Sequence, residues 1–133
     1  DKKTNSSTEI LKKWKFLKEK SLWGHFYNLF ETKNTKVKEL VVKPGKGMSF
    51  QKHHKRNEIW LISEGACLVN YSKNDSSSKE SIELNKFDYF TVPVESWHQI
   101  TNPFDSVCKI IEIQYGEAVV EDDITRLYYY DEV

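Results

Sequence analysis

The chain has 133 residues, a length that suits one domain with one core. Its 20 basic and 20 acidic residues cancel, which leaves no global field for nucleic acid or an anionic membrane and points to a small partner recognised locally. Four Trp, seven Tyr and seven Phe suit a strand-rich domain filled by large flat side chains and exclude disorder as a description of the whole.

Asp1 to Ser7 are polar. Ser6-x-x-Glu9 then offers a capping box, and Ile10, Leu11, Trp14 and Leu17 recur at helical spacing, so a short amphipathic helix is expected within residues 1–20, its lysines forming a solvated face. From Trp23 onward the pattern turns into short β-rich runs separated by turn residues. Strands are expected near His25 to Glu31, Val37 to Lys43, Ile59 to Glu64, Ala66 to Tyr71, Glu80 to Leu84, Tyr89 to Val92, His98 to Asn102 and Val107 to Tyr115. Pro44-Gly45, Glu64-Gly65, the polar stretch Lys73 to Lys79 and Asn102-Pro103 supply the breaks. The segment Glu121 to Tyr130 is expected as a helical turn or an arm over the barrel, so residues 1–20 form the N-terminal segment and 21–133 a single barrel domain.

Cys67 and Cys108 each sit in an apolar run without a second Cys at metal or redox spacing, which reads as reduced core thiols. No apolar run approaches the roughly 18 residues of a membrane span, and no signal-peptide core is visible, so the cytoplasm is the expected compartment and no membrane partner is expected.

The chemistry concentrates in Gly45-x5-Gln51-x-His53-x4-Glu58-x6-Gly65 and Pro93-x4-His98-x3-Asn102. Gln51 and His53 are two apart, so on an extended segment both leave one face. Glu58 and His98 open later strands that converge in a closed barrel. Gln51, His53, Glu58 and His98 thus surround one interior point as candidate ligands of a divalent metal. Gly45 and Gly65 suit turns that need positive φ.

This spacing resembles that of the cupin superfamily, G-x5-H-x-H-x3,4-E-x6-G followed by G-x5-P-x-G-x2-H-x3-N. Gln51 stands for the first His, and Phe87 and Glu95 stand for the two glycines of the second motif. Within the superfamily the chain is most similar to the cupin domain of type II mannose-6-phosphate isomerases. Leu22-Trp23-Gly24-His25-Phe26-Tyr27 matches P-W-G-x-Y, Val42-Lys43-Pro44-Gly45 matches V-x-P-G, and Ser49 to Trp60 matches S-L-Q-x-H-H-H-R-x-E-H-W. Ile113 to Gly116 and Glu121 to Arg126 match V-Q-x-G and E-D-D-I-x-R. That family carries Gln at the Gln51 position but has His where this chain has Lys55 and Ile59.

The resemblance implies an all-β cupin jelly-roll barrel, here with the short N-terminal helix, that forms a homodimer and holds one divalent ion (Zn, Co, Mn, Ni or Fe). It implies interconversion of an aldose phosphate and a ketose phosphate, of the mannose 6-phosphate and fructose 6-phosphate type. Arg56, Glu58 and His98 are the catalytic candidates, and Arg56, Gln114 and Arg126 the candidates for holding a sugar phosphate. His54 is expected at the surface, Trp60 and Trp97 in the core or a subunit seam. If the family's His after the Glu moves protons, Ile59 cannot. The alternative is therefore a non-catalytic module binding a sugar phosphate or sugar nucleotide; a cupin oxygenase is a further rival, for which Gln51 removes a customary His ligand.

Overall fold

The computed structural model of the protein describes residues 16–130. Twelve strands run through them: β1 (Lys18–Ser21), β2 (Gly24–Glu31), β3 (Thr35–Val42), β4 (Lys46–Gly47), β5 (Phe50–Lys52), β6 (Arg56–Glu64), β7 (Cys67–Ser72), β8 (Glu80–Leu84), β9 (Tyr89–Val92), β10 (Trp97–Asn102), β11 (Cys108–Gly116) and β12 (Thr125–Tyr128). They form two antiparallel sheets, β1-β2-β3-β11-β6-β9 and β12-β5-β10-β7-β8, with β4 joined to β10. This is the expected all-β jelly roll. The late strand β11 lies between β3 and β6 in the first sheet, so residues far apart in the chain share one interior.

Each of the expected strands is present. The residues carrying most of the expected N-terminal helix lie outside the described ones, and its last three, Lys18 to Lys20, belong to strand β1 instead. At the other end the arm prevails over the helical turn: a turn at Glu121 and Asp122 leads into β12, which pairs with β5.

Side chains from both sheets fill the core, among them Val42, Trp60, Ile62, Val69, Ile100 and Ile110. Cys67 and Cys108, on different sheets, lie in that cluster as free thiols and hydrogen-bond each other. Gly45 and Gly65 have φ of 74° and 75°. At Gly65 an added Cβ would meet the Val107 carbonyl oxygen at 2.3 Å, so both the turn and the close approach require glycine. Phe87 and Glu95, which replace the glycines of the second motif, keep positive φ of 74° and 70°. The left-handed backbone is thus retained where the residue type that adopts it freely is absent.

Register across β3, β11 and β6 organises the interior in rows. Leu40, Ile110 and Ile62 form one; Lys38, Glu112 and Trp60 the next; Lys36, Gln114 and Glu58 a third. All nine are buried. The barrel therefore runs from an apolar end to a polar one. The intervening residues Val37, Ile59, Ile111 and Ile113 alternate onto the opposite, outer face of the sheet.

Candidate metal centre and sugar-phosphate site

Glu58 enters the polar end from β6 on the first sheet and His98 from β10 on the second, while His53 follows β5. All three side chains are about 2% exposed. One ligand atom from each lies within 4.8 Å of the others. His53 Nε2 is 3.3 Å from Glu58 Oε2, and His98 Nε2 is 3.7 Å from Glu58 Oε1.

Both imidazoles are oriented by backbone carbonyls. His53 Nδ1 donates to Asp123 O at 2.7 Å and His98 Nδ1 to Ser96 O at 3.0 Å. A ring nitrogen that donates carries the proton, so each Nε2 presents its lone pair to the shared point, the arrangement typical of metal-binding histidines. Burial, and then Arg56, hold His53 down to about 4; burial, and then His53, hold His98 down to about 3. Both rings are neutral near pH 7, as ligation requires. His98 Nε2 is buried without any hydrogen-bond partner. A buried orphan acceptor is costly and rare unless something completes it. Two neutral imidazoles and a carboxylate around that point are an N/O donor set that fits Zn, Mn, Fe, Co or Ni.

Gln51 is brought to the same place, directly opposite His98 in the β5–β10 pairing. Its amide nitrogen lies 3.3 Å from His53 Nε2, while its oxygen accepts from Ser49 Oγ at 2.6 Å. Ligation through Gln51 therefore needs the amide turned over, which the Ser49 hydroxyl permits because it can donate or accept.

Arg56 is buried and engaged: Nε donates to Glu58 Oε2 at 3.0 Å, Nη2 lies 3.2 Å from His53 Nε2, and Nη1 donates to Val120 O at 3.3 Å. The guanidinium neutralises Glu58 where the sequence suggested a phosphate clamp. It also lines a cavity of about 230 Å³ at the polar end, together with Lys38, Gln51, Glu112, Gln114 and Arg126. Gln114 and Arg126 thus share this cavity, Arg126 brought in by its pairing with Gln51. Gln114 Oε1 is buried without a hydrogen-bond partner.

Ile59 alternates onto the outer face of its sheet, opposite to Glu58 and Trp60, so the loss of a His there does not remove a group from the interior. Lys55 is exposed. His54 is exposed as expected and contacts Glu95 and Thr125. Asn102, which ends the second motif, is fully buried and donates to Val42 O and Ser106 O, a role in joining loops. Trp97 is half-buried and stacked on Phe50.

Four residues bear on the site beyond the candidates named from the sequence. Asp123 gives its carbonyl to His53, and its carboxylate accepts from the backbone N–H of His54 and Lys55, both at 2.9 Å. The aspartates of the E-D-D-I segment were the available signal. Trp60, expected in the core or a subunit seam, donates its Nε1 to both Glu58 Oε1 (3.2 Å) and Glu112 Oε2 (3.1 Å). Glu112 shares a strand face with the candidate Gln114, which was its signal, and Lys38 had none beyond its place in a strand.

The two cavity carboxylates are tuned in opposite directions. Burial, and then Glu58, push Glu112 up to about 7. Burial also works to raise Glu121, but hydrogen bonds from Lys38 (2.7 Å) and Lys36 (3.1 Å) outweigh it and hold Glu121 down to about 2.

Residues 12–129 match the family described as Mannose-6-phosphate isomerase C-terminal. The chain is 31% identical over 104 residues to mannose-1-phosphate guanylyltransferase 2 of Escherichia coli O157:H7, covering 78% of this chain and 20% of that protein. It is 35% identical over 104 residues to the alginate biosynthesis protein AlgA of Pseudomonas putida, again 78% of this chain and 20% of that protein. The chain thus spans about a fifth of the length of these relatives, which are carbohydrate-related enzymes and biosynthesis proteins by name. In fold it is similar to oxalate decarboxylase from Bacillus subtilis, with a TM-score of 0.72 at 14% identity over 84% of this chain and 30% of that one. That protein has Mn(II) centers. Among the described residues no helix is long and apolar enough to cross a membrane.

Proposed function

Because the chain belongs to the mannose-6-phosphate isomerase C-terminal family, we propose that it is a metal-dependent isomerase interconverting mannose 6-phosphate and fructose 6-phosphate. The observation that carries this reading is the buried triad of His53, Glu58 and His98, with the unpartnered Nε2 of His98 among its donors, beside a cavity lined by cations.

His53, Glu58 and His98 would hold the ion, with Gln51 as a fourth donor once its amide is turned. The ion, when bound, supplies Lewis-acid polarisation of a sugar oxygen. The chain's own residues do the remainder. Arg126, at the cavity wall, holds the phosphate dianion, since Arg56 is already committed to Glu58 and Lys38 to Glu121. Gln114 Oε1 accepts a hydrogen bond from a sugar hydroxyl, which fixes the depth of the chain of carbons. Arg56 faces the cavity beside Glu58 and stabilises negative charge developing on the C1–C2 oxygens, a use its planar fork suits. The barrel walls exclude water from those atoms.

A coupled assay with mannose 6-phosphate, on protein loaded in turn with Zn, Co, Mn, Ni and Fe, tests the reading. Turnover with at least one ion is expected. One observation favours a second reading, a non-catalytic sugar-phosphate module: Arg56 already compensates Glu58 without an ion. Saturable sugar-phosphate binding without turnover under all five ions would establish that reading instead. The homodimer expectation falls on the outer face of the first sheet, where Val37, Ile59, Ile111 and Ile113 lie next to exposed Leu61 and Tyr89; light scattering behind size exclusion gives the mass that decides it.

A further inference from the structure

We propose that Glu112 is the proton-transferring residue of the site, moving a proton between C1 and C2 of the bound sugar phosphate; this rests on the isomerase reading above. If His53, Glu58 and His98 serve the ion, none of them is free to act as the base. The reaction still needs one, within hydrogen-bond reach of the carbon that loses its proton. Two carboxylates line the cavity, Glu112 and Glu121. Glu121 shares one oxygen between Lys36 and Lys38, which stabilises its ionised form and makes it a poor proton acceptor. Glu112 has no such ion pair within hydrogen-bond distance.

The surroundings of Glu112 are those of a held but available carboxylate. Gln114 Nε2 donates to Oε1 at 2.7 Å and Trp60 Nε1 to Oε2 at 3.1 Å, so the group is fixed in orientation by two neutral donors. Each oxygen keeps acceptor capacity for a C–H proton. The group is 6% exposed, which strips it of water, and it lines the cavity together with Gln114, whose Oε1 has no hydrogen-bond partner. Trp60 Nε1 spans Glu112 and Glu58, so the proposed base and a proposed metal ligand are held by a single indole. The opposite tuning of the two cavity carboxylates accords with a division between a proton carrier and a permanently charged partner of lysines.

The step balances within substrate and side chain. Glu112 takes the C2 proton of the aldose phosphate, the C2–H electron pair becomes the C1=C2 bond, and the carbonyl electrons move onto O1. Glu112 then returns the proton to C1 as the O2 hydroxyl proton passes to O1 and the C2=O bond forms. No oxidant and no leaving group is involved.

The experiment compares wild type with Glu112→Gln and Glu112→Asp. The expected result for Glu112→Gln is a fall in kcat by about 10² to 10⁴, with KM for fructose 6-phosphate within about threefold of wild type. Exchange of the C1 and C2 hydrogens with D₂O is lost in parallel. Metal content by mass spectrometry is unchanged, and the metal-free protein binds a hexitol 6-phosphate, which cannot isomerise, with Kd within about threefold. Glu112→Asp retains the chemistry at an intermediate rate. Exchange persisting at the wild-type rate in Glu112→Gln overturns the assignment and leaves the isomerase reading standing. A wild-type protein that binds sugar phosphate yet neither turns it over nor exchanges its hydrogens overturns both. Loss of hexitol phosphate binding or metal in both variants overturns it too, by making the residue structural.

Discussion

Replacing His98 by Leu separates what the imidazole does for the fold from what it does for an ion. In the metal-free protein His98 Nε2 is buried without a partner, a penalty of about 1–3 kcal/mol. Leucine removes that penalty together with the Nδ1–H bond to Ser96 O, which contributes about 1 kcal/mol. It also fills the space against Trp60 and His53, whose ring centroids lie 5.5 and 5.0 Å from that of His98. The two changes offset, so metal-free His98→Leu is expected to match wild type within about 1 kcal/mol. Ion binding behaves otherwise: at a free concentration of 100 Kd, a ligand that binds only the folded state stabilises it by about 2.7 kcal/mol. With an unfolding entropy of roughly 2.1 cal/mol/K per residue over 133 residues, that raises Tm by about 10 °C. Calorimetry of chelator-treated protein, repeated with each of the five ions, reads both effects. Wild type gains about 10 °C with at least one ion and His98→Leu gains none. An equal gain in the variant, or none in wild type with any ion, refutes the coordination; a variant far less stable than wild type without metal refutes the claim that the imidazole is an unfavourable core group awaiting a partner.

Acid should destabilise the metal-free protein in a defined window. The unfolded chain protonates two imidazoles near 6.5 that the folded one refuses until about 4 (His53) and about 3 (His98), while the folded chain keeps a proton on Glu112 up to about 7 that the unfolded one releases near 4.5. The unfolded state thus binds one net proton more between pH 6.5 and 4.5, so stability falls by about 1.4 kcal/mol per unit as pH drops there, and more steeply below; urea midpoints that stay level or rise from pH 6.5 to 4.5 would count against this. Arg126→Ala is expected to raise KM for fructose 6-phosphate tenfold or more with kcat little changed, the mark of lost phosphate binding; a normal KM moves the phosphate elsewhere. Phe87→Gly relieves a left-handed backbone at a side chain 71% exposed, a gain of about 1–2 kcal/mol reduced by the greater freedom of unfolded glycine, so Tm should rise by about 2–4 °C. A lower Tm would mean the exposed ring contributes packing that outweighs its backbone strain.

The strands that were legible are those with apolar alternation and marked turns; β1, β4, β5 and β12 were missed because they have two to four residues each and no period to read. The convergence of His53, Glu58 and His98 was legible because donor residues at that spacing share one interior point only in one register. Much of the remaining polar lining, Gln114 and Arg126 apart, was hidden by an inversion. In Lys36-Val37-Lys38-Glu39-Leu40 and in Ile111-Glu112-Ile113-Gln114, alternation alone assigns the apolar residues to the core and the polar ones to water. The fold does the reverse at this end, burying Lys36, Lys38, Glu112 and Gln114 and turning Val37, Ile111 and Ile113 outward. A pattern of period two states which residues share a face but not which face is inside, and the deciding information lies in the neighbouring strands. Leu40, Ile110 and Ile62 continue the same inner face into the core, so strand parity forces the polar residues inward once the apolar end is placed. Ile59 shows the consequence for function. In sequence it adjoins Glu58 and reads as a damaged active site; by parity it faces outward, and the substitution of Ile for a family His there bears on what packs against the sheet rather than on the chemistry inside it. Ile59→His is accordingly expected to leave metal uptake and turnover as they are, and a change in either, measured at equal metal loading, would place the interior of β6 on the other face.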